Sequence, residues 1–289
     1  MASKTGVTCG AFPQRIEIEI ASACNLHCTY CPRKYLDKLG GVMDAGLFKK
    51  LIDEAAAYPD TILVLHRRGE SLIHPDFVYL CDYIKGKFKE VQIATNATLL
   101  DDAKSKALIG SVNFISFSID VPEVFNKTRI GADYADVEAR ILRFLELNKG
   151  RARTQVSMVK TVETPQRNAE IFKAVWKGKV DRIRIYEEHS HDGKFGSLTR
   201  DRGKRQPCVM PFYEMLIYCD GKVGRCNHDW KGIPMGDVNH ATLKDIWNNS
   251  VYSELRDQHK KLKITDDVCK NCDSWYAEEG VQGTGETIE

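Results

Sequence analysis

Segments with strand character alternate with segments of helical spacing through the first two thirds of this 289-residue chain. The strand-like segments, which carry alternating or continuous apolar residues, are 15–21, 61–66, 90–95, 113–119, 154–160 and 181–187. The segments with helical spacing lie between them, at 44–58, 74–88, 101–109, 135–149 and 165–177. Parallel strands need long crossover connections, so this order predicts a parallel α/β sheet. We predict a partial (β/α)6 barrel over residues 1–190.

The alternation stops after Glu188, and the remaining residues have a different character. Residues 191–207 are polar and rich in glycine and arginine, which predicts a linker or a substrate loop. From 208 onwards the sequence predicts a β-hairpin that turns at Asp220-Gly221, and then an amphipathic helix over 243–262. No element is predicted for the polar C-terminal tail. We therefore predict a small C-terminal domain of hairpin plus helix over 208–289.

The composition excludes several classes of protein. A net charge of +2 and an isoelectric point near 8.0 lack the basic excess that nucleic-acid binding or a membrane surface requires. No apolar run reaches the length of a membrane span, and the N-terminal residues lack the apolar core of a secretion signal. We predict a cytoplasmic protein, in which ten cysteines indicate metal or redox chemistry rather than disulfides.

Three cysteines, Cys24, Cys28 and Cys31, lie close together directly after the first predicted strand. Their spacing predicts a tight loop in which the thiolates converge, and such thiolates select iron–sulfur clusters or zinc. Three cysteines on a [4Fe-4S] cluster leave one iron free to chelate the amino and carboxylate groups of a cofactor. The alternative is a structural zinc site that takes His27 or a distant cysteine as its fourth ligand.

The CxxxCxxC sequence after the first strand resembles the signature of the radical S-adenosylmethionine (SAM) enzymes. The resemblance implies that SAM binds the open iron and is cleaved to methionine and a 5′-deoxyadenosyl radical, which removes a hydrogen atom from the substrate. Tyr30 matches the aromatic residue that lies near the adenine in this family. After the second strand, Gly69 and Glu70 match a motif that binds the SAM amino group, whereas Arg68 and Ser71 depart from it.

Further residues at the ends of the predicted strands match SAM-binding positions in this family. Thr95 and Asn96 end the third strand, where the family often carries Thr-Asn-Gly. Ser118 and Asp120 end the fourth strand. Ser118 and Arg129 together match a pair of polar residues that related enzymes place around the ribose and carboxylate of SAM. Barrel enzymes gather their active-site residues at these carboxyl ends. The alternative for all but Thr95 is ordinary loop capping or a surface ion pair.

A second cysteine group lies near the C-terminus. Its members are Cys208, Cys226, Cys269 and Cys272. Their four thiolates are a complete ligand set for one closed iron–sulfur cluster. This part of the chain resembles the twitch domain of radical SAM enzymes, a shortened relative of the SPASM domain. The resemblance implies an auxiliary [4Fe-4S] cluster, and hence two [4Fe-4S] clusters in the chain. A zinc site with the same four thiolates is the alternative.

Three other residues are predicted to act on the substrate. Cys219 is one thiol too many for the auxiliary cluster, so it is either a packing residue or a donor of a hydrogen atom to a substrate radical. Glu188 and His189 follow the sixth strand, where they are candidates for binding or deprotonating a hydroxyl group. The alternative for both is an ordinary solvated loop.

In outline the chain is most similar to the aminocyclitol dehydrogenases and the related aminoglycoside and nucleoside epimerases of antibiotic biosynthesis. The resemblance implies a radical SAM oxidoreductase, a dehydrogenase, that abstracts a hydrogen atom from a carbon of a sugar-like, aminocyclitol or nucleoside substrate. The auxiliary cluster then accepts an electron from the substrate radical. A small-molecule substrate and an electron donor such as flavodoxin or ferredoxin are the implied partners.

Three alternative functions stay open at this point. A sugar or nucleoside epimerase would return a hydrogen atom from Cys219. A peptide-modifying enzyme would bring a leader-recognition domain of about 80–100 residues, which does not fit in the 23 residues before Cys24. A non-enzymatic iron–sulfur or zinc scaffold protein, whose cluster SAM would not perturb, is the third.

Overall fold

The structure is a computed structural model that describes residues 8–36, 39–161, 166–187, 204–229, 234–272, 275 and 285–289. Its strands, in chain order, are β1 (Arg15–Ile18), β2 (His27–Cys28), β3 (Ile62–Val64), β4 (Val91–Thr95), β5 (Phe114–Ser118), β6 (Arg129–Ile130), β7 (Arg153–Lys160), β8 (Arg182–Glu187), β9 (Glu214–Ile217), β10 (Lys222–Gly224), β11 (Gly236–Asp237) and β12 (Gly285–Ile288). Its α-helices are α1 (Ala45–Ala55), α2 (Phe77–Ile84), α3 (Asp102–Ser111), α4 (Pro122–Thr128), α5 (Tyr134–Asn148), α6 (Gln166–Trp176), α7 (Met210–Tyr213), α8 (Leu243–Trp247), α9 (Ser250–Lys261) and α10 (Asp267–Asn271).

Six parallel strands, in the order β1-β3-β4-β5-β7-β8, form the barrel wall. Helices α1, α2, α3, α5 and α6 lie in the connections between successive strands of this order. The described sheet is open, with β11 at one edge and β12 at the other. These features confirm the predicted α/β fold and its partial (β/α)6 barrel.

The residues of β1 divide between two buried environments. Ile16 and Ile18 are fully buried in the hydrophobic core that the strands share with the helices. Arg15 and Glu17, at the alternate positions, are also buried, but they line a cavity inside the barrel. Complete barrels fill this interior with bulky branched side chains. In this protein polar side chains take those positions, and the barrel interior contains a cavity that is open to a ligand.

Helix α1 illustrates how the helices cover the sheet. The Asp44 carboxylate accepts hydrogen bonds from the backbone N–H groups of Gly46 and Leu47, at 2.8 and 3.0 Å, and so caps the first turn. Phe48 and Ile52, four residues apart, lie on the same buried face. None of the helices in the described ranges is long and apolar enough to cross a membrane.

The C-terminal hairpin extends the barrel sheet. Strand β9 pairs in parallel with β1, with Arg15 opposite Glu214 and Ile18 opposite Ile217. Strands β9 and β10 are antiparallel, and Gly221 between them has a φ of 88°, in agreement with the predicted turn. Strands β9, β10 and β11 thus belong to the same sheet as the barrel strands. The predicted division at 191–207 stays a prediction, since most of that segment lies outside the described residues.

The predicted helix over 243–262 is two helices, α8 and α9. The side chain of Asn249 accepts a hydrogen bond from the backbone N–H of Tyr252 at 2.9 Å and so begins α9. Thr242 caps α8 in the same way, through the backbone N–H of Asp245 at 3.0 Å. The apolar spacing runs through the break, which is why periodicity predicted one continuous helix.

A short strand, β12, forms in the polar C-terminal tail, where no element was predicted. It pairs antiparallel with β8, with Gly285 opposite Tyr186 and Ile288 opposite Ile183. The carboxylate of Glu286 also lies 2.9 Å from the Lys173 ammonium. A strand this short lacks a clear apolar pattern, and it forms because the edge of β8 offers unpaired backbone groups.

Candidate functional site

The loop that carries the first three cysteines follows β1 and is held against other strands. Strand β2, inside this loop, pairs antiparallel with β6, which places Cys28 opposite Arg129. The backbone N–H of Cys31 donates to the carbonyl of Cys28 at 3.1 Å. At the other end of the loop, the side-chain amide of Asn96 lies 3.9 Å from the sulfur of Cys24. These contacts fix the three thiols within one short segment.

The three thiols influence one another electrostatically. Burial raises the pKa of Cys28 to about 11; Arg129 opposes this shift, and the neighbouring Cys31 and Cys24 add to it. Burial also raises the pKa of Cys24 and of Cys31. Crowded thiolates repel one another, and the positive charge of bound iron relieves that repulsion. The donor set therefore fits a cluster with three protein ligands.

At Gly69 the chain beyond β3 comes very close to the cysteine loop. A Cβ atom at this position would lie 2.3 Å from the carbonyl oxygens of both Ala21 and Ala23. Such contacts are shorter than real Cβ atoms make, so only glycine fits here. The backbone N–H of Glu70 then donates to the carbonyl of Ala23 at 2.7 Å and joins the two segments.

The buried Glu70 carboxylate joins the ends of β3 and β4. It accepts hydrogen bonds from the Thr95 hydroxyl and from the backbone N–H of Asn96, both at 2.7 Å. A third hydrogen bond comes from the backbone N–H of Leu72 at 3.1 Å. Burial raises the pKa of Glu70, and these hydrogen bonds oppose the shift. Glu70, Thr95 and Asn96 thus form one cluster, and the contact of Glu70 with the SAM amino group stays a prediction.

Asp120 holds two other predicted cofactor residues in position. Its Oδ2 accepts hydrogen bonds from Arg129 Nε at 2.9 Å, from the Thr128 hydroxyl at 3.0 Å and from the Tyr30 hydroxyl at 3.2 Å. Nearby Asp120 raises the pKa of Arg129 against the effect of burial, so the guanidinium stays charged. Tyr30, Ser118 and Arg129 line the barrel cavity, whereas Asp120 is not among the lining residues and contacts Tyr30 and Arg129.

The four C-terminal cysteines form a second electrostatic group. Burial raises the pKa of Cys226, and Cys269, Cys272 and Cys208 raise it further. Burial likewise raises the pKa of Cys208 to about 12 and that of Cys269 to about 11. In the part of the chain that the structure describes, no three or more His, Cys, Asp or Glu side chains are arranged so that they could hold a metal ion. Four mutually interacting thiols fit a multi-iron cluster.

Arg225 lies beside this second group, although the sequence pattern did not predict a role for it. Its Nη1 lies 3.7 Å from the sulfur of Cys269. The guanidinium pairs with both carboxylate oxygens of Asp266, through Nη2 at 2.9 Å and through Nη1, and its Nε lies 3.8 Å from Asp229. Two carboxylates thus orient a charged donor toward a thiol of the group. Its position next to Cys226 was the one signal that the sequence offered.

A cavity of about 1000 Å³ connects the cysteine loop with the interior of the barrel. This volume is at the upper end of the range of about 300–1000 Å³ for ligand pockets. The predicted cluster and cofactor residues that line it are Cys24, Cys28, Tyr30, Cys31, Gly69, Glu70, Thr95, Asn96, Ser118 and Arg129. Asn227 and His228, which directly follow Cys226, line it as well. The cavity therefore borders the first cysteine group and reaches the two residues that follow Cys226 of the second group.

The deeper wall of the cavity is polar, and its residues were not predicted from the sequence. Its residues come from most of the barrel strands and include Glu17, His66, Arg67, Gln92, Ser116, Gln155, Ser157 and Arg182. Nη2 of Arg67 donates to the carbonyl of Cys226 at 3.4 Å, which connects this wall to the second cysteine group. The polar residues at alternate positions of 15–21 indicated that one face of this strand is polar. Only the register of the strand pairing shows that this face turns into the barrel.

Of the three residues predicted to act on the substrate, Cys219 is the one that lies among the described residues. The sulfur of Cys219 lies 3.5 Å from the hydroxyl oxygen of Ser22, and Cys219 is not among the residues that line the cavity. Its role as a hydrogen-atom donor stays a prediction. Glu188 and His189 lie outside the described residues.

Comparisons with known proteins give matches over most of the chain. The model of the Radical SAM superfamily matches residues 18–192, and that of the SPASM iron–sulfur cluster-binding domain matches residues 208–273. A tungsten-containing aldehyde ferredoxin oxidoreductase cofactor-modifying protein of Pyrococcus furiosus is 30% identical, with 83% of this chain and 82% of that protein covered. The S-adenosyl-L-methionine-dependent 2-deoxy-scyllo-inosamine dehydrogenase of Niallia circulans is 21% identical, with 90% and 92% covered. The antilisterial bacteriocin subtilosin biosynthesis protein AlbA of Bacillus subtilis is 30% identical, with 84% and 61% covered.

Solved structures share the fold. BtrN in complex with AdoMet and 2-DOIA superposes with a TM-score of 0.62 at 18% identity, covering 91% of this chain and 93% of BtrN. Streptococcus suis SuiB bound to S-adenosylmethionine gives a TM-score of 0.71 at 14% identity, covering 91% of this chain and 71% of SuiB.

The matched domains identify the cofactors. A radical SAM domain binds SAM and a [4Fe-4S] cluster, and a SPASM domain binds auxiliary iron–sulfur clusters. This assignment replaces the zinc and scaffold alternatives. With more than half of its residues in the matched domain, the chain belongs to the radical SAM superfamily and carries a C-terminal SPASM-type iron–sulfur domain.

Proposed function

We propose that this enzyme is a dehydrogenase that oxidises one carbon of a small sugar-like, aminocyclitol or nucleoside substrate in natural-product biosynthesis. In this proposal the SAM-binding cluster is held by Cys24, Cys28 and Cys31. The ligands of the auxiliary cluster are Cys208, Cys226, Cys269 and Cys272. The observation that carries the proposal is a cavity that borders the first cysteine group and also Asn227 and His228, which directly follow Cys226 of the second group. A substrate radical formed in this cavity lies near an electron acceptor.

The bound cofactors supply the radical that removes a hydrogen atom and the acceptor that takes up an electron. The substrate carbon loses the hydrogen atom and the electron, its hydroxyl group loses a proton, and the C–OH group becomes C=O. Glu17 is a buried carboxylate on the cavity wall, and we assign it as the acceptor of this proton. Glu188 and His189 are alternative acceptors.

Epimerisation is the rival reaction, and it needs a hydrogen-atom donor at the cavity. Among the described lining residues, thiols are present at Cys24, Cys28 and Cys31, which are the proposed cluster ligands. The thiol of Cys219 contacts Ser22 outside that lining. This arrangement favours loss of an electron from the substrate radical over return of a hydrogen atom.

The isotopic fate of the attacked carbon tests the proposal. Reconstituted, anaerobically reduced enzyme is given SAM and a panel of aminocyclitols, sugars and nucleosides in ordinary and in heavy water. Oxidation gives a product lighter by two hydrogen atoms, without solvent deuterium at the attacked carbon, and Cys219→Ala turns over like the control variant Cys9→Ala. Deuterium at an inverted carbon, lost in Cys219→Ala and retained in Cys9→Ala, would establish epimerisation instead.

Modification of a peptide or of an organic cofactor is a second candidate function. Two relatives at 30% identity support it, one named as a cofactor-modifying protein and the other as a bacteriocin biosynthesis protein. SuiB, which shares the fold, has been solved with a precursor peptide. Formation of 5′-deoxyadenosine that rises above the substrate-free rate with a peptide library, and not with the small-molecule panel, would favour this candidate.

The electron that starts each turnover comes, in this proposal, from flavodoxin or ferredoxin in the cytoplasm. A reducing compartment keeps the seven proposed ligand thiols available for iron. The test replaces the chemical reductant with a purified flavodoxin and its reductase. Formation of 5′-deoxyadenosine should then depend on the flavodoxin concentration, and independence from it would exclude this donor.

A further inference from the structure

Four arginines that line the cavity are each paired with a carboxylate. These pairs and their N–O distances are Arg15–Glu214 at 3.1 Å, Arg67–Glu17 at 3.7 Å, Arg68–Glu19 at 2.6 Å and Arg129–Asp120 at 2.9 Å. A buried cation is tolerated when an anion compensates its charge. Together these four pairs add no net charge to the cavity.

Arg182, at the start of β8, differs from these four. It lines the cavity, yet no described residue accepts a hydrogen bond from its guanidinium, and its Nε is buried without a partner among them. The guanidinium carbon lies 5.9 Å from the centre of the Phe114 ring. An aromatic ring can orient a guanidinium in this way without occupying its N–H donors. An anion that enters the cavity would therefore find a charged donor available.

The sheet register defines the depth of Arg182. Arg182 pairs with Gln155, and Gln155 pairs with Ser116, so the three residues form one row across β8, β7 and β5. Ser118, at the cofactor end of the cavity, lies two residues further along β5. Two residues of a parallel strand span about 6.6 Å. The row therefore lies one layer of side chains below the predicted SAM contacts.

Neutral hydrogen-bonding groups surround this row. The side-chain amide of Gln155 donates to the hydroxyl oxygen of Ser116 at 2.8 Å. Nδ1 of His66, another lining residue, accepts a hydrogen bond from the backbone N–H of Ala94 at 3.0 Å. The ring hydrogen of His66 is thus on Nε2, and burial with nearby arginines lowers its pKa to about 3, so it stays neutral. Such groups suit the hydroxyls of a sugar-like molecule.

We propose that Ser116, Gln155 and Arg182, together with His66, form a subsite for an oxyanion of the substrate, a phosphate ester or a carboxylate. The inference rests on the proposed function and narrows its substrate class. The substrate is a polyhydroxylated small molecule with a negative group remote from the oxidised carbon. Arg182 binds the oxyanion, and the neutral groups bind the adjoining hydroxyls.

Calorimetric titration of the reconstituted, SAM-loaded holoenzyme tests this subsite with three probes: glucose 6-phosphate, gluconate and glucose. We expect at least one charged probe to bind tenfold or more tightly than glucose, because charge-assisted hydrogen bonds are the stronger ones. Tighter binding of glucose 6-phosphate indicates a phosphate ester, and tighter binding of gluconate indicates a carboxylate. Equal affinities for all three probes, or no binding of any of them, would overturn the proposal.

Variants connect the preference to Arg182. Arg182→Gln should remove it, whereas Arg143→Gln, which removes the same charge from the exposed side of α5, should keep it. Iron content and circular dichroism check the fold. If Arg182→Gln does not fold, Arg182→Lys replaces it and should weaken the preference, because lysine lacks the planar guanidinium fork. A preference unchanged in the variant would overturn the assignment to Arg182.

The outcome is independent of turnover. Tighter binding of the charged probes that is lost in Arg182→Gln supports the subsite even if no panel molecule is oxidised. In that case the proposed dehydrogenation fails and the subsite proposal stands. If the enzyme oxidises a panel molecule but binds the charged probes no more tightly than glucose, the oxyanion subsite is contradicted and the proposed dehydrogenation is not.

Discussion

Arg225 Nη1 lies 3.7 Å from the sulfur of Cys269, and both residues are at most 8% exposed. Asp266 and Asp229 hold the guanidinium in this orientation. Hydrogen bonds to cluster sulfurs raise the reduction potential, because they stabilise the more negative, reduced state. If Cys269 is a ligand of the auxiliary cluster, as proposed, Arg225 should make that cluster a better electron acceptor, as the proposed dehydrogenation requires.

Replacement of Arg225 by glutamine should lower the potential of the auxiliary cluster by tens of millivolts. For scale, about 59 mV is a tenfold change in a one-electron equilibrium. A redox titration followed by electron paramagnetic resonance measures the potential. The control is Lys270→Gln, which removes the same charge from a side chain that is 52% exposed, and its potential should match that of the wild type. Equal potentials in Arg225→Gln and wild type would contradict this role.

The iron content should divide between the two cysteine groups. Three plus four ligands for two [4Fe-4S] clusters predict about eight irons per chain. The double variant of Cys269 and Cys272 to alanine should keep about four irons and continue to form 5′-deoxyadenosine. The triple variant of Cys24, Cys28 and Cys31 to alanine should form none. Colorimetric iron analysis and chromatography measure both quantities, and loss of all iron from the double variant would refute this division.

Gly69→Ala should reduce 5′-deoxyadenosine formation at least tenfold. The new Cβ would lie 2.3 Å from the carbonyl oxygens of Ala21 and Ala23, so the backbone must move away from the cysteine loop. Gly110→Ala is the control, because its Cβ would meet only the mobile end of the Lys85 side chain at 3.0 Å. Because Gly110 lies in the last turn of α3, this control should change the stability of the protein by less than the roughly 1 kcal/mol expected for a helix interior. A wild-type rate for Gly69→Ala would show that this close approach is unimportant.

The stability of the protein should fall below about pH 6.5 partly through His66. Burial lowers the pKa of His66 from 6.5 to about 3, so between these values the unfolded imidazole is protonated and the folded one is not. The free energy of unfolding then decreases by up to about 1.4 kcal/mol per unit of falling pH. Thermal midpoints at about pH 6 and about pH 5 should differ less for His66→Gln than for the wild type. The exposed His240→Gln should behave like the wild type, and equal differences in all three proteins would exclude His66.

Local spacing was enough to predict the barrel and the first cysteine loop. Cys24, Cys28 and Cys31 lie in one short segment, so their convergence needs no long-range information. Gly69 and Glu70 were predicted as site residues because they follow a predicted strand, and the carboxyl ends of parallel strands meet at one edge. The boundaries were less accurate. Asn249, a capping residue inside a continuous apolar pattern, divides the predicted helix at 243–262 into two.

The polar interior depends on contacts between distant parts of the chain. The Arg15–Glu214 pair forms because β9 adds to the edge of β1, and Arg225 reaches Cys269 across the second cysteine group. Periodicity shows which residues of a strand share a face, but not which charges meet across strands that are far apart in sequence. Register and strand order determine those meetings. They leave Arg182 in the cavity without a described carboxylate partner, which no local pattern contains.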